Sequence, residues 1–169
     1  MVTVFRDPKE VVASAYPFML GLWRIKDVVP IEEYVDTHLD HSTTLDDLAS
    51  FTASYWERRH RPNNLFLVYR DMKADPRDSI ARIADVMGVK LTPEEFDKVC
   101  HKSSVGYMKG IGHKFAFGTS APATIRSGKS GKAVEEIGLQ RSRRIDDHMR
   151  KILREKVPDF PYDEICDIA

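Results

Sequence analysis

The five residues Leu65-Phe66-Leu67-Val68-Tyr69 are apolar without alternation and follow directly on the breaker Pro62-Asn63-Asn64. So short a run after a turn reads as a strand rather than a helix, and the lack of alternation is that of a strand covered on both faces of a parallel sheet. A second run, Val2 to Phe5, passes straight into Asp7-Pro8-Lys9-Glu10, which supplies a helix cap, a proline at the first helical position and a glutamate at the third. Two strands set among helical sequence define an α/β chain. At 169 residues it is long enough for one core and too short for two ordinary domains, so residues 1–169 are expected to form a single unit.

The helical segments follow from spacing and caps. After Glu10, the residues Val11, Val12, Ala15, Met19 and Leu22 recur at helical intervals, and Pro17 is expected to kink or end that helix near Tyr16. Thr44, as cap, with Asp46 and Asp47 in the first turn, starts a helix carrying Leu45, Leu48, Phe51 or Thr52, and Tyr55, and reaching about His60. Asp75-Pro76 caps a helix with Ile80, Ile83, Ala84 and Met87 on one face and Gly88 at its stop, and Thr92-Pro93-Glu94-Glu95 opens the next with a capping box. Lys109 to Thr124 has no period and many small residues, which predicts a long loop. The last helix runs from about Gln140 to Arg154 with Ile145, Met149, Ile152 and Leu153 inward. Its arginines and lysine, Arg141, Arg143, Arg144, Arg150, Lys151 and Arg154, are interleaved with Asp146, Asp147 and Glu155, the pattern of a solvated face.

Charge and cysteine usage narrow the function. Lys plus Arg equals Asp plus Glu at 26 each, so no bulk field favours nucleic acid or an anionic membrane, and any anion site must be local. Cys100 and Cys166 form neither a disulfide framework nor a metal-ligand spacing, and the chain opens without a basic, cleavable leader. Both features point to a reducing, cytoplasmic setting. The most apolar stretch, Val11 to Trp23, is shorter than the roughly 20 residues a membrane span needs. His38 and His41 lack a third ligand, so they are read as exposed and no metal is expected.

One local anion site does suggest itself. Arg6 stands at the carboxyl end of the first strand, where ligands of open α/β sheets bind, and Ser14 lies two turns into the helix that follows. A guanidinium and a hydroxyl so placed suit a phosphate, although a surface arginine and an ordinary helix serine have the same spacing. Arg126-Ser127-Gly128-Lys129-Ser130-Gly131 reads as a phosphate loop, because Gly128 and Gly131 permit close backbone approach and leave amides to face an anion. It is no Walker A loop, since the first glycine of that motif would fall at Ala123.

The segment Val4-Phe5-Arg6-Asp7-Pro8-Lys9-Glu10-Val11-Val12-Ala13-Ser14-Ala15-Tyr16 closely resembles the strand-to-helix motif of the cytosolic sulfotransferase family. Three more segments match in family order: Phe66 to Lys73, Ser103 to Lys109, and Ile125 to Gly131. The resemblance implies the C-terminal part of a P-loop-like parallel three-layer sheet, mostly helical with two short parallel strands. It implies that Arg6 and Ser14 hold the 3′-phosphate of 3′-phosphoadenosine 5′-phosphosulfate and that Tyr69 meets the adenine. Ser103 is then a second contact on the base side, Val105 an apolar neighbour of the purine, and Arg126, Ser127 and Gly128 belong to the phosphate loop. Two departures stand out: Lys132-Ala133 replaces the family's usual Asp-Trp, and Lys102 stands where a histidine is common.

Family members begin with a phosphate loop bearing a lysine for the 5′-phosphosulfate, followed by a catalytic histidine, and neither has room before Val2. His101 and His113 do not fall in the catalytic position, so no catalytic residue is assigned. The expectation is a partial sulfotransferase, inactive alone, whose partners are the nucleotide donor and a small-molecule acceptor. Self-association through the exposed strand edge is also expected. The alternative is a non-catalytic remnant that binds nucleotide weakly or acts as an interaction module. The reading frame upstream of Met1 separates the two.

Overall fold

A computed structural model describes residues 1–23, 29–41, 43–115 and 131–166. Two strands, β1 (Val2–Phe5) and β2 (Leu65–Val68), pair in parallel with Val2 opposite Leu65 and Phe5 opposite Val68. The crossover between them holds α1 (Pro8–Trp23), α2 (Ile31–His41) and α3 (Thr44–Glu57). After β2 come α4 (Tyr69–Ala74), α5 (Pro76–Val86), α6 (Pro93–Lys102), α7 (Val105–Gly110) and a 3₁₀ turn, Gly112–Phe115. The described C-terminal part adds α8 (Ala133–Ile137), α9 (Leu139–Lys156) and α10 (Tyr162–Ile165).

The core lies where α9 packs against α3 and α1. Ile145, Met149 and Leu153 of α9 are sealed off together with Leu45 and Ala49 of α3 and Val12 and Ala13 of α1. Against it sits an aromatic cluster in which the Phe160 ring meets Phe5 at 5.1 Å and Trp56 at 5.0 Å, both edge to face. This ties the start of the sheet to the segment after α9.

Several expectations are corrected. Pro17 does not end α1, which continues to Trp23; Val12, Ala13 and Leu20, on either side of the proline, are all buried, so packing outweighs the one lost amide donor. Tyr69 opens α4 and is not part of the strand; within β2 Leu67 is buried, and Leu65, Phe66 and Val68 are partly so, with Phe66 packed against Trp56 and Phe160. On β1, Val2 and Val4 are exposed while Phe5 is buried. Thr43, not Thr44, takes the cap position of α3. Met87 lies beyond the last turn of α5 and is exposed rather than inward. Part of the expected loop is helical, since Lys109 and Gly110 end α7 and the 3₁₀ turn follows; the remainder to Thr124 lies outside the described residues.

The two capping expectations are met in detail. Asp75 accepts from the Asp78 amide at 2.9 Å, and Thr92 and Glu95 exchange both bonds of a capping box. Gly88 adopts φ +68°, the left-handed conformation that stops α5 and that other side chains resist.

Candidate functional site

Arg6 follows the last residue of β1, and three groups fix its guanidinium. Its Nε donates to Glu10 Oε2 at 3.1 Å, one helical turn on. Its Nη1 donates to Ser14 Oγ at 3.4 Å, and its Cζ sits 4.8 Å from the centroid of the Tyr69 ring, a cation–π distance. Lys73, one turn along α4, places Nζ 6.0 Å from the centroid of the same Tyr69 ring. The structure therefore brings Arg6, Ser14 and Tyr69 together from a strand end, the second turn of α1 and the start of α4. Parallel pairing is what makes this possible, because it sets the carboxyl ends of β1 and β2 side by side.

Ser14 also donates to the Val11 carbonyl at 3.1 Å, so its hydroxyl hydrogen is parked on the helix and is able to turn outward toward an anion. Glu10 does more than pair with Arg6. Its other oxygen, Oε1, accepts from the backbone amide of Gly131, the final glycine of the Arg126 to Gly131 stretch. Gly131 adopts φ +84°, a conformation that a side chain would strain. Arg126, Ser127 and Gly128 lie outside the described residues. Ser103 and Val105 are exposed at the junction of α6 and α7, and among the described residues no hydrogen bond or ring contact joins them to Arg6.

Beneath the site lies a second charged group that the sequence reading missed. Lys9 is 1% exposed, and its ammonium donates to Asp146 Oδ1 at 2.6 Å and pairs with Asp7 Oδ2 at 3.1 Å. The Tyr162 hydroxyl donates to the same Asp146 oxygen at 2.9 Å. Burial alone would depress the Lys9 ammonium, yet the hydrogen bond to Asp146 and the charge of Asp7 together hold its pKa above the ordinary value. Burial pushes the Tyr162 phenol and the Cys166 thiol well up, so both stay protonated at neutral pH. This cluster locks the first turn of α1 to α9 and α10, which fixes the direction in which Arg6, Glu10 and Ser14 emerge.

Asp146 is thus a buried partner and not part of a solvated face. Arg141, Arg144 and Arg150 of α9 are likewise committed to carboxylates. Arg141 grips Asp36 of α2 through two bonds of 2.9 and 2.7 Å, and the Arg141 hydrogen bond holds the Asp36 carboxyl below the usual range. Arg144 reaches Asp40 at 2.5 Å, and Arg150 bonds both Asp147 and Asp163 at 2.9 Å. His38 is half-buried, with Nδ1 2.9 Å from the Tyr34 carbonyl, whereas His41 is exposed. Among the described residues no group of three or more His, Cys, Asp or Glu is placed to hold a metal ion, and no helix is long and apolar enough to cross a membrane.

The signal for Glu10 was present in the sequence as an Arg and a Glu four apart across the start of a helix. No local pattern announces Lys9 with Asp146, which are 137 positions apart.

A rabbit (Oryctolagus cuniculus) amine sulfotransferase is 25% identical over 99% of this chain and 58% of its own length. Rat (Rattus norvegicus) sulfotransferase 1C2 is 32% identical over 63% of this chain and 36% of its own. Among solved structures, a retinol dehydratase in complex with androsterone and the inactive cofactor PAP superposes with TM-score 0.78 at 25% identity, covering 95% of this chain and 49% of that one. A mouse sulfotransferase SULT7A1 complexed with PAP shares the fold, with TM-score 0.77 at 18% identity over 96% of this chain and 61% of its own. The chain therefore spans about half the length of the relatives it matches. A sequence model of the sulfotransferase domain matches residues 1–160, and the chain belongs to that family.

Proposed function

We propose that this chain carries the 3′-phosphate and adenine part of a sulfotransferase donor site. The observation that carries the reading is the convergence of Arg6, Ser14 and Tyr69, which are brought from three elements to the carboxyl ends of the two strands. A phosphate dianion fits such a group, since the guanidinium is about one-third exposed, already oriented, and flanked by a hydroxyl. When bound, 3′-phosphoadenosine 5′-phosphosulfate supplies the sulfuryl group that goes to a hydroxyl or amine acceptor. Arg6 would pair with the 3′-phosphate, Ser14 would turn its hydroxyl from Val11 to a phosphate oxygen, and Tyr69 would offer its ring to the base. Ser103 and Val105 would border the base, and Arg126, Ser127 and Gly128 would add charge and amides to the phosphate.

The 169 residues contain no assigned base or phosphosulfate loop, so alone they are expected to bind the nucleotide without transferring sulfate. Among the described residues β1 pairs with β2 alone, so its other edge, beside the exposed Val2 and Val4, is suited to self-association or to a further strand.

Calorimetric titration with 3′-phosphoadenosine 5′-phosphate and with adenosine 5′-phosphate tests the reading. The first ligand should bind more tightly. Arg6→Ala is expected to weaken it by about 1.5–3 kcal/mol and Ser14→Ala by about 1 kcal/mol, with little change for the second ligand. Equal affinity for both nucleotides, or an unaffected Arg6 variant, would sink the assignment.

A further inference from the structure

Glu10 is 8% exposed, and its carboxylate lies against the Arg6 guanidinium that would bind the phosphate of the proposed site. By charge alone that is the wrong sign, because a carboxylate near a phosphate dianion lowers the anion's affinity. Its two oxygens, however, are fully engaged. Oε2 takes the Nε proton of Arg6, and Oε1 takes the amide proton of Gly131. Nε is the guanidinium position on the side-chain stem, so this bond fixes the rotation of the fork while leaving its outer nitrogens toward Ser14 and the open side. The Gly131 bond reaches 121 positions along the chain and pins the end of the glycine-rich stretch to the first turn of α1.

We propose that Glu10 is a positioning residue, a carboxylate anchored by the Gly131 amide that holds the fork of Arg6 in the rotation from which its outer nitrogens address the 3′-phosphate. The inference rests on the nucleotide reading above. It makes a prediction opposite in sign to the simple field effect, since removing the negative charge should weaken phosphate binding. A glutamine at this position presents one oxygen and one NH₂ group, so it satisfies either Arg6 or Gly131 and opposes the other with a donor. An aspartate keeps the charge but is one methylene shorter, too short to span both partners.

The test uses the whole 169-residue chain, titrated with 3′-phosphoadenosine 5′-phosphate and with adenosine 5′-phosphate. Glu10→Gln and Glu10→Asp should each weaken the first ligand by roughly tenfold, the loss of a charge-assisted contact, and leave the second nearly unchanged. The selectivity for the 3′-phosphate is the readout that a purely structural role would not move, because general loosening would affect both nucleotides. In the Arg6→Ala background, Glu10→Gln should add little, since the clamp acts through the guanidinium. Tighter or unchanged binding of the 3′-phosphorylated ligand by Glu10→Gln, in a parent chain that does prefer it, overturns the clamp and leaves the site reading intact. Full additivity with Arg6→Ala also overturns it. A parent chain without preference between the ligands overturns both.

Discussion

The part of the molecule built on α1, α3 and α9 and the part running from α4 to α7 are both mostly helical, but different forces hold them. In the first, Ala49, Val35, Ile145 and Met149 are completely shielded from solvent, and even Lys9 and Asp146 are sealed inside. In the second, α4, α6 and α7 contain no buried residue, and α5 contains only Ser79. What holds α5 and α6 instead is local: the Asp75 and Thr92 caps, the Arg77 to Asp97 bond of 2.9 Å, and Arg77 stacked 4.8 Å from the Phe96 ring centroid. The difference teaches where long-range cooperativity resides. The three groups around Arg6 straddle the boundary, since Ser14 and Glu10 belong to the first part and Tyr69 to the second.

Asp146→Ala attacks the first part at its most costly point. It leaves the Lys9 ammonium buried beside Asp7 alone and strips the Tyr162 hydroxyl of its acceptor, so a loss of about 3–5 kcal/mol in urea unfolding is expected. A loss below 1 kcal/mol would show that this cluster does not lock α1 to α9. Because the folded-state pKa of Lys9 is raised, its contribution is complete below pH 10.5 and declines as pH climbs through the higher folded value.

Thr92→Ala sharpens the contrast from the other side. Removing this cap should cost about 1 kcal/mol, read as faster amide exchange in α6, while amides of α9 keep their protection. Equal acceleration in both helices would mean that the two parts unfold as one.

The smallest effect is expected at the half-exposed surface of the first part. Asp36 has a lowered carboxyl pKa, so its pairing with Arg141 stabilises above the unfolded value near 3.8 and is lost as pH falls through the lower folded value. Asp36→Asn should therefore narrow the stability gap between pH 6 and the acid limb only slightly, as exposed ion pairs contribute little. An acid unfolding midpoint that moves as far as it does in Asp146→Ala would contradict this ranking.

The sequence by itself determined what is decided within a few residues. The capping box at Thr92, the stop at Gly88, the short strand after Pro62-Asn63-Asn64, though not its end, and the strand-to-helix passage at Arg6 are local bargains between backbone donors and neighbouring side chains, so they were legible, as was the family. The tertiary structure alone decided what depends on burial. Pro17 stays inside a helix because the residues around it are packed, and Asp146, indistinguishable in sequence from the exposed Asp147, becomes the partner of a buried lysine 137 positions away. Glu10 stands between the two cases. Its bond to Arg6 has helical spacing and its bond to Gly131 has none, because a contact across 121 residues exists only after the chain has closed a loop that no local pattern encodes.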